Sequence, residues 1–388
     1  MKKLFNDKVL SWCEDIGPES LCQIENCANH PWIKHIAIMP DCHMGIGVTI
    51  GSVLAFDNAV CPNAVGVDIG CGMSFIKTNK KVIELSIEDK KQILKRMGEL
   101  IPVGMGNYKS TPQEFSDKLI DLFDKCRDVL IHQQLESAKY QLGSLGSGNH
   151  FGELQEDENG YLCAMIHSGS RNLGHKVCEK YEKIADGMCE KWKYKDLVNK
   201  KLSIIPIGED EFTDYVDCMT ACLQFSRESR QNMINNIMVA MKEVFDFEIT
   251  EKVDIQHNYA SFENQLGGDY WIHRKGATSA RKDEIGIIPG SQGTSSYIVS
   301  GLGNEMSMTS CSHGAGRVMS RKEAVKNLDF DAEVKKLEDQ GILHGIKRKR
   351  DLDEAVGSYK DIDKVIKAQS DLIKIIHTLK PLAVLKGS

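Results

Sequence analysis

Histidines and acids set between glycines are the residues of this sequence best suited to chemistry. Seven of the twelve histidines (His43, His150, His167, His175, His257, His273 and His313) lie in or beside glycine-rich or polar segments. Loop and strand-end positions of that kind carry function disproportionately. Asp68-Ile69-Gly70-Cys71-Gly72, expected to follow a strand, sets a carboxylate and a thiol three residues apart. A hard oxygen beside a soft sulfur suits a borderline divalent ion such as Zn²⁺ or Mn²⁺, and a thiolate can bridge two ions. Taken alone, the motif is weak evidence for a metal and reads first as a buried cysteine near a turn.

Other segments repeat the pattern. Leu142-Gly143-Ser144-Leu145-Gly146-Ser147-Gly148-Asn149-His150-Phe151 is a donor-rich turn ending in an imidazole, and such backbone amides can nest a phosphate. Ile166-His167-Ser168-Gly169-Ser170-Arg171 ends in a guanidinium suited to phosphate. Gln256-His257-Asn258 closes a strand, and Trp271-Ile272-His273-Arg274-Lys275-Gly276 is the most basic of these motifs. Pro289-Gly290-Ser291-Gln292-Gly293-Thr294-Ser295-Ser296 offers hydroxyls and free amides for a nucleotide, although it matches neither a Walker A loop nor GxGxxG. Cys311-Ser312-His313-Gly314-Ala315-Gly316-Arg317 exposes His313 on a glycine turn, as a nucleophile would be presented. Four histidines, an aspartate and a cysteine on separate loops resemble the parts of a dinuclear metal site serving phosphoryl chemistry. Composition and spacing go no further.

The elements that must position these loops read as an α+β fold. Ser86 and Asp89 form a helix start, with an amphipathic helix over 87–101. Further helices are expected over 111–138, over 209–247 with a break, and over 361–379, stopping at Pro381. Clusters of β-branched and aromatic residues predict strands at 35–38, 48–56, 162–166, 253–256, 270–272, 285–288 and 297–299. Strands and glycine loops at both ends imply one large domain over 1–388, with helical insertions at about 83–140 and 208–247. The 388 residues carry 49 Lys+Arg against 55 Asp+Glu, which argues against a generally basic nucleic-acid binder but leaves room for a local basic groove. No run of apolar residues approaches a membrane span, and the amino-terminal residues do not form a secretory signal. A cytoplasmic chain with reduced cysteines is therefore expected, twelve of the thirteen being packing residues and Cys71 the exception.

Taken together, GVDIGCG, LGSLGSGNHF, IHSGSRNLGH, HNYA, HRKGAT, IIPGSQGTSSYIV and SHGAGRVMSR resemble the RtcB family of RNA-splicing ligases over nearly the whole chain. The resemblance implies a single RtcB-like catalytic domain of β-sheets with glycine-rich active-site loops. It implies an enzyme that joins an RNA 3′-phosphate or 2′,3′-cyclic phosphate to a 5′-hydroxyl, using GTP and two Mn²⁺ ions. Asp68, Cys71 and His150 would hold one ion, and Cys71, His167 and His257 the other. His313 would be the nucleophile that carries GMP. Asn149, His150, Phe151, Gly152, Glu153, His257, Asn258, Pro289, Gly290, Ser291, Gln292, Ser296, His313, Gly314, Ala315, Gly316 and Lys386 fall where the family binds the guanylate. Arg171 and Arg321 would grip RNA phosphates. Gly70 and Gln292 depart from the family pattern in a way that points to a bacterial subgroup whose substrate is not tRNA from intron splicing, and the modest length favours a bacterial repair enzyme. A monomer, with an activating protein as a further partner, completes the expectation.

Two rivals share these motifs. A Mn-dependent RNA-end phosphatase or cyclic phosphodiesterase would keep the metals without ligating, and an RNA-binding module would have lost catalysis. The presence of His313 and Lys386 opposes the first, and the complete ligand set opposes the second. His43, His175 and His273 read equally as structural or as RNA-facing, and the Lys347-Arg348-Lys349-Arg350 run reads as a solvated turn.

Overall fold

The computed structural model describes residues 1–5, 7–104, 106 and 108–387. Two sheets dominate it, the larger antiparallel throughout and the smaller mixed, with Val9–Ser11 parallel to Ile33–His43. The larger runs Ile249–Gln256, Gly72–Lys81, Tyr161–Ser168, Phe151–Asp157, Ile373–Lys386, Ser296–Gly301, Ile285–Ile288. The smaller runs Lys2–Leu4, Val9–Ser11, Ile33–His43, Ile50–Phe56, Gly268–Lys275, Asn258–Gln265.

Side chains alternate across the larger sheet, as a strand's period of two requires. Ile76, Leu162, Ala164 and Ile166 pack with Ile93, Met97, Met233 and Ile237 of the helices Ile87–Leu100 and Asp210–Lys242. Met73, Phe75, Cys163 and Met165 point the other way, against Ile287, Ile298 and Leu379 of the same sheet. The two edge strands touch, so the sheet curls around this second cluster.

Local sequence accounts for several helix ends. Ser86 Oγ accepts from Asp89 N at 3.1 Å and Asp89 accepts from Ser86 N at 2.8 Å, a reciprocal cap. The helix expected over 111–138 is instead two, Asp117–Lys125 and Val129–Gln141, each with its own cap, Ser116 and Asp128. Asp128 also accepts from Lys180 and Tyr181 at 2.6 and 2.7 Å, which fixes the break. The break expected within 209–247 does not occur: Asp210–Lys242 is one helix of 33 residues, buried along its length. At 361–379 the expectation fails more seriously. The helix Ile362–Ala368 is short, and Ile373–Lys386 is a strand between two partners. Ile373, Ile375, Ile376 and Thr378 are β-branched, and Pro381 is accommodated at a register shift.

The register sets up the site. Gly72 pairs with both Gln256 and Ser168, and His167 pairs with Phe151. Cys71, His257, His167 and His150 are therefore gathered at one end of four neighbouring strands. At His257 the chain leaves the larger sheet and enters the smaller. The short pair Ala277–Ser279 with Ser310–Ser312 then delivers His313 beside Gly276. Asp68–Gly72 thus precedes a strand and does not follow one. Among the described residues no helix is long and apolar enough to cross a membrane.

Candidate active site

At that strand end, Cys71 Sγ lies 3.3 Å from His167 Nε2 and 3.5 Å from His150 Nε2. His150 Nε2 is 2.9 Å from Asp68 Oδ2, and His167 Nε2 is 3.1 Å from His257 Nε2. The opposite ring nitrogens are already committed. His150 Nδ1 donates to Leu145 O at 2.9 Å and His167 Nδ1 to Asn149 O at 3.1 Å. Their Nε2 atoms are then bare lone pairs. Lone pairs, a sulfur and a carboxylate converge with too few protons to satisfy one another.

Two overlapping triads result, Asp68–Cys71–His150 and Cys71–His167–His257, with the ligand atoms of each within 4.8 Å. The donor set fits two divalent cations sharing one sulfur. Burial holds His167 and His257 well below the ordinary imidazole range, so both are neutral, as ligands must be. Burial and the Asp68 charge push the Cys71 thiol well up, so a thiolate here requires a cation beside it. A third group, Asp157, Glu158 and His377, is already paired: Lys77 Nζ lies 2.8 Å from Asp157, and His377 Nδ1 lies 2.9 Å from Glu158.

His313 stands beside this cluster, its ring centroid 4.7 Å from that of His257. Its Nδ1 lies 2.7 Å from Asp41 Oδ2, which also accepts from His313 N at 3.1 Å and Gly314 N at 3.2 Å. Asp41 is fully buried. It fixes both the ring and the turn that carries it, and leaves Nε2 with the lone pair. Gly276, at φ +60°, makes room: a Cβ there would come within 2.9 Å of the His313 ring and 2.4 Å of Ile50. Asp41 was missed in the sequence, where it reads only as part of Pro40-Asp41-Cys42-His43.

His313 opens on a cavity of about 460 Å³, a size suited to a small ligand. Asn149, Phe151, Glu153, Pro289, Gly290, Ser291, Gln292, Ser296, Gly314, Ala315, Gly316 and Lys386 line it. Four other residues expected at the guanylate do not. His150 and His257 belong to the two triads, and Gly152 packs against Ile166 within the sheet. Asn258 fastens loops together, accepting from Gly276 N at 2.8 Å and donating to Asp68 O at 3.1 Å. Burial pushes the Glu153 carboxyl up to about 8, so it is neutral at pH 7. Burial also lowers the Lys386 ammonium.

The wall further contains Arg317, Arg321, Glu354 and Tyr359. Buried Glu354 accepts from Arg321 Nε at 2.6 Å, from Arg317 Nη1 at 3.1 Å and from the Tyr359 hydroxyl. Arg321 is thus in the cavity but paired. Glu354 carried no sequence signal, since it follows a charged run, 347–351, that reads as a solvated turn. Arg171 lies outside the cavity wall, half-buried, with Nε 3.4 Å from Ser144 Oγ. His43 lines the cavity, His273 is buried and accepts from Cys61 N at 3.0 Å, and His175 is exposed. The Lys347–Arg350 run is exposed. Cys22 is exposed and the other twelve cysteines, Cys71 included, are buried; all thirteen are free.

A model of the tRNA-splicing ligase RtcB family matches residues 23–387. The chain is 34% identical to the RNA-splicing ligase RtcB of Escherichia coli K12, over 98% of both chains. It is 31% identical to the tRNA-splicing ligase RtcB of Methanococcus maripaludis, over 96% of this chain and 92% of the relative.

Proposed function

The chain belongs to the RtcB family, and from that premise we propose that it joins RNA 3′-phosphate or 2′,3′-cyclic phosphate ends to 5′-hydroxyl ends with GTP. The observation that carries this reading is His313: one nitrogen is tied to Asp41, and the ring stands between the paired triads and a cavity of nucleotide size. Asp68, Cys71 and His150 would hold one Mn²⁺ and Cys71, His167 and His257 the other, and these ions would supply positive charge against phosphate oxygens.

His313 Nε2 attacks the α-phosphorus of GTP, forming a P–N bond as pyrophosphate leaves. Asp41 steadies the imidazolium that develops, because its carboxylate already accepts the Nδ1 proton. Gly290, Ser291 and Ser296, with Gly314 and Gly316, line the wall that would hold the guanylate. The RNA 3′-phosphate then displaces His313 from the GMP phosphorus. This gives RNA-(3′)pp(5′)G and frees the imidazole, and the 5′-hydroxyl displaces GMP to close the strand. A cyclic end is first opened to a 3′-phosphate. Positioning and charge carry most of such chemistry. Arg321, and Arg171 outside the wall, would meet RNA phosphates, and an incoming phosphate would compete with Glu354 for Arg321. The reading includes a monomeric cytoplasmic enzyme with an activating protein partner. Thirteen free thiols accord with a reducing compartment.

Incubation with GTP, Mn²⁺ and two RNA strands, one ending in 3′-phosphate and one beginning with 5′-hydroxyl, is expected to yield a joined strand. Loss of the terminal phosphate with no joining would favour the phosphatase reading. Asp41→Asn is expected to slow formation of the GMP adduct by about 10²-fold or more, because the amide can turn its NH₂ toward His313 and oppose the required tautomer. Single-turnover rates check this; a change of less than about threefold would remove Asp41 from the mechanism.

A further inference from the structure

Arg230 has no part in the chemistry above, yet with Arg274 it is the largest side chain without solvent exposure among the described residues. It rises from the helix Asp210–Lys242 toward the strand ends that carry the two triads. Nε and Nη2 each donate to Asp254 at 2.8 Å, a two-pronged grip. Nη1 donates to Gly70 O at 3.0 Å, Ser168 O at 3.1 Å and Ser226 Oγ at 2.6 Å. Ser226, one helical turn earlier, donates to the same Gly70 carbonyl.

These partners have a common address. Gly70 precedes Cys71 and Ser168 follows His167, while Asp254 lies three residues before His257, on the strand that ends at Gln256. One guanidinium therefore holds three ligand-bearing segments from different parts of the chain, two by backbone carbonyls and the third by the Asp254 carboxylate. Gly72 keeps the approach open, since a Cβ there would sit 3.0 Å from the Arg230 guanidinium and 2.1 Å from Ile255 O.

We propose that Arg230 is a positioning residue for the two-cation site: it sets the separation of Cys71, His167 and His257 by clamping Gly70, Ser168 and Asp254 together. The proposal rests on the metal reading of the triads. A packing role alone would call for neither two carbonyl acceptors beside two different ligands nor a fixed charge at a buried position. Lysine keeps the charge but has a single donor atom and no fork, so it cannot span all three partners. Asp254 retains Arg227 nearby at 3.4 Å, so it is not stranded when Arg230 is changed.

The test is titration of the full-length protein with Co²⁺, reading affinity, stoichiometry and the sulfur-to-cobalt charge-transfer absorption. Arg230→Lys is expected to weaken cobalt binding by about 10- to 100-fold and to shift the charge-transfer band. Ser226→Ala, which removes only the hydroxyl bonds, is expected to weaken binding by a smaller factor and keeps the test decisive where Arg230→Lys does not fold. A folded Arg230→Lys, or in its place Ser226→Ala, with wild-type affinity and spectrum overturns the clamp. Wild-type protein with no cobalt band that depends on Cys71 would overturn the metal reading instead, and the clamp with it.

Discussion

His313→Ala is expected to abolish the covalent GMP adduct altogether and to lower ligation by about 10⁴-fold or more, the usual cost of losing a nucleophile. In the wild type, incubation with α-labelled GTP and Mn²⁺ should leave label on the protein that survives denaturation but not acid, because protonation of a P–N bond releases the imidazole. Alanine leaves Asp41 and the Gly276 pocket in place, so the variant should fold as the parent does. His313 is partly accessible, with its side chain 12% exposed, and holds no core position. Label retained by His313→Ala would move the nucleophile elsewhere; the neighbouring imidazole is His257, whose Nε2 already faces that of His167. Label absent from both proteins would remove the nucleotidyl step from the mechanism.

Legibility in the sequence followed how local the determining forces are. The cap at Ser86 is settled by residues three apart, and the structure has it as expected. The strands Tyr161–Ser168 and Ile285–Ile288 declare themselves by β-branched residues between turns. Ile373–Lys386 did not, because the apolar residues Leu372, Ile373, Ile375, Ile376 and Leu379 are spaced to fit both periods. What decides for a strand there is the pair of partners, Ser296–Gly301 and Phe151–Asp157, both distant in sequence.

The site divides in the same way. Residue types and glycine contexts pointed to His150, His167, His257 and His313, and the sheet register then brings them together. Asp41, Glu354 and Arg230 went unnoticed because each is defined by what it touches across the fold. Asp41 reaches a histidine 272 positions on, and Arg230 spans 160 residues to Gly70. Net charge was uninformative for a related reason. A chain with six more acids than bases still places Arg317, Arg321 and Lys386 around one cavity.

Cys71→Ala separates a shared site from two independent ones. If its sulfur serves both triads, the substitution removes one ligand from each, and two sites of three protein ligands become two sites of two. Metal analysis of the purified variant, loaded under conditions that fill the wild type, should then find both ions lost, and with them the adduct on an intact His313. By contrast, His257→Ala strips only one triad, and should leave close to one ion per chain. The neutral imidazoles make the comparison sensitive. With His167 and His257 uncharged and Asp68 the only acid in the two triads, the thiolate is half of the negative charge available to two divalent cations. Removing it should therefore cost more in affinity than removing any one histidine. Two ions retained by Cys71→Ala would refute the shared sulfur, and one retained ion would assign it to a single triad.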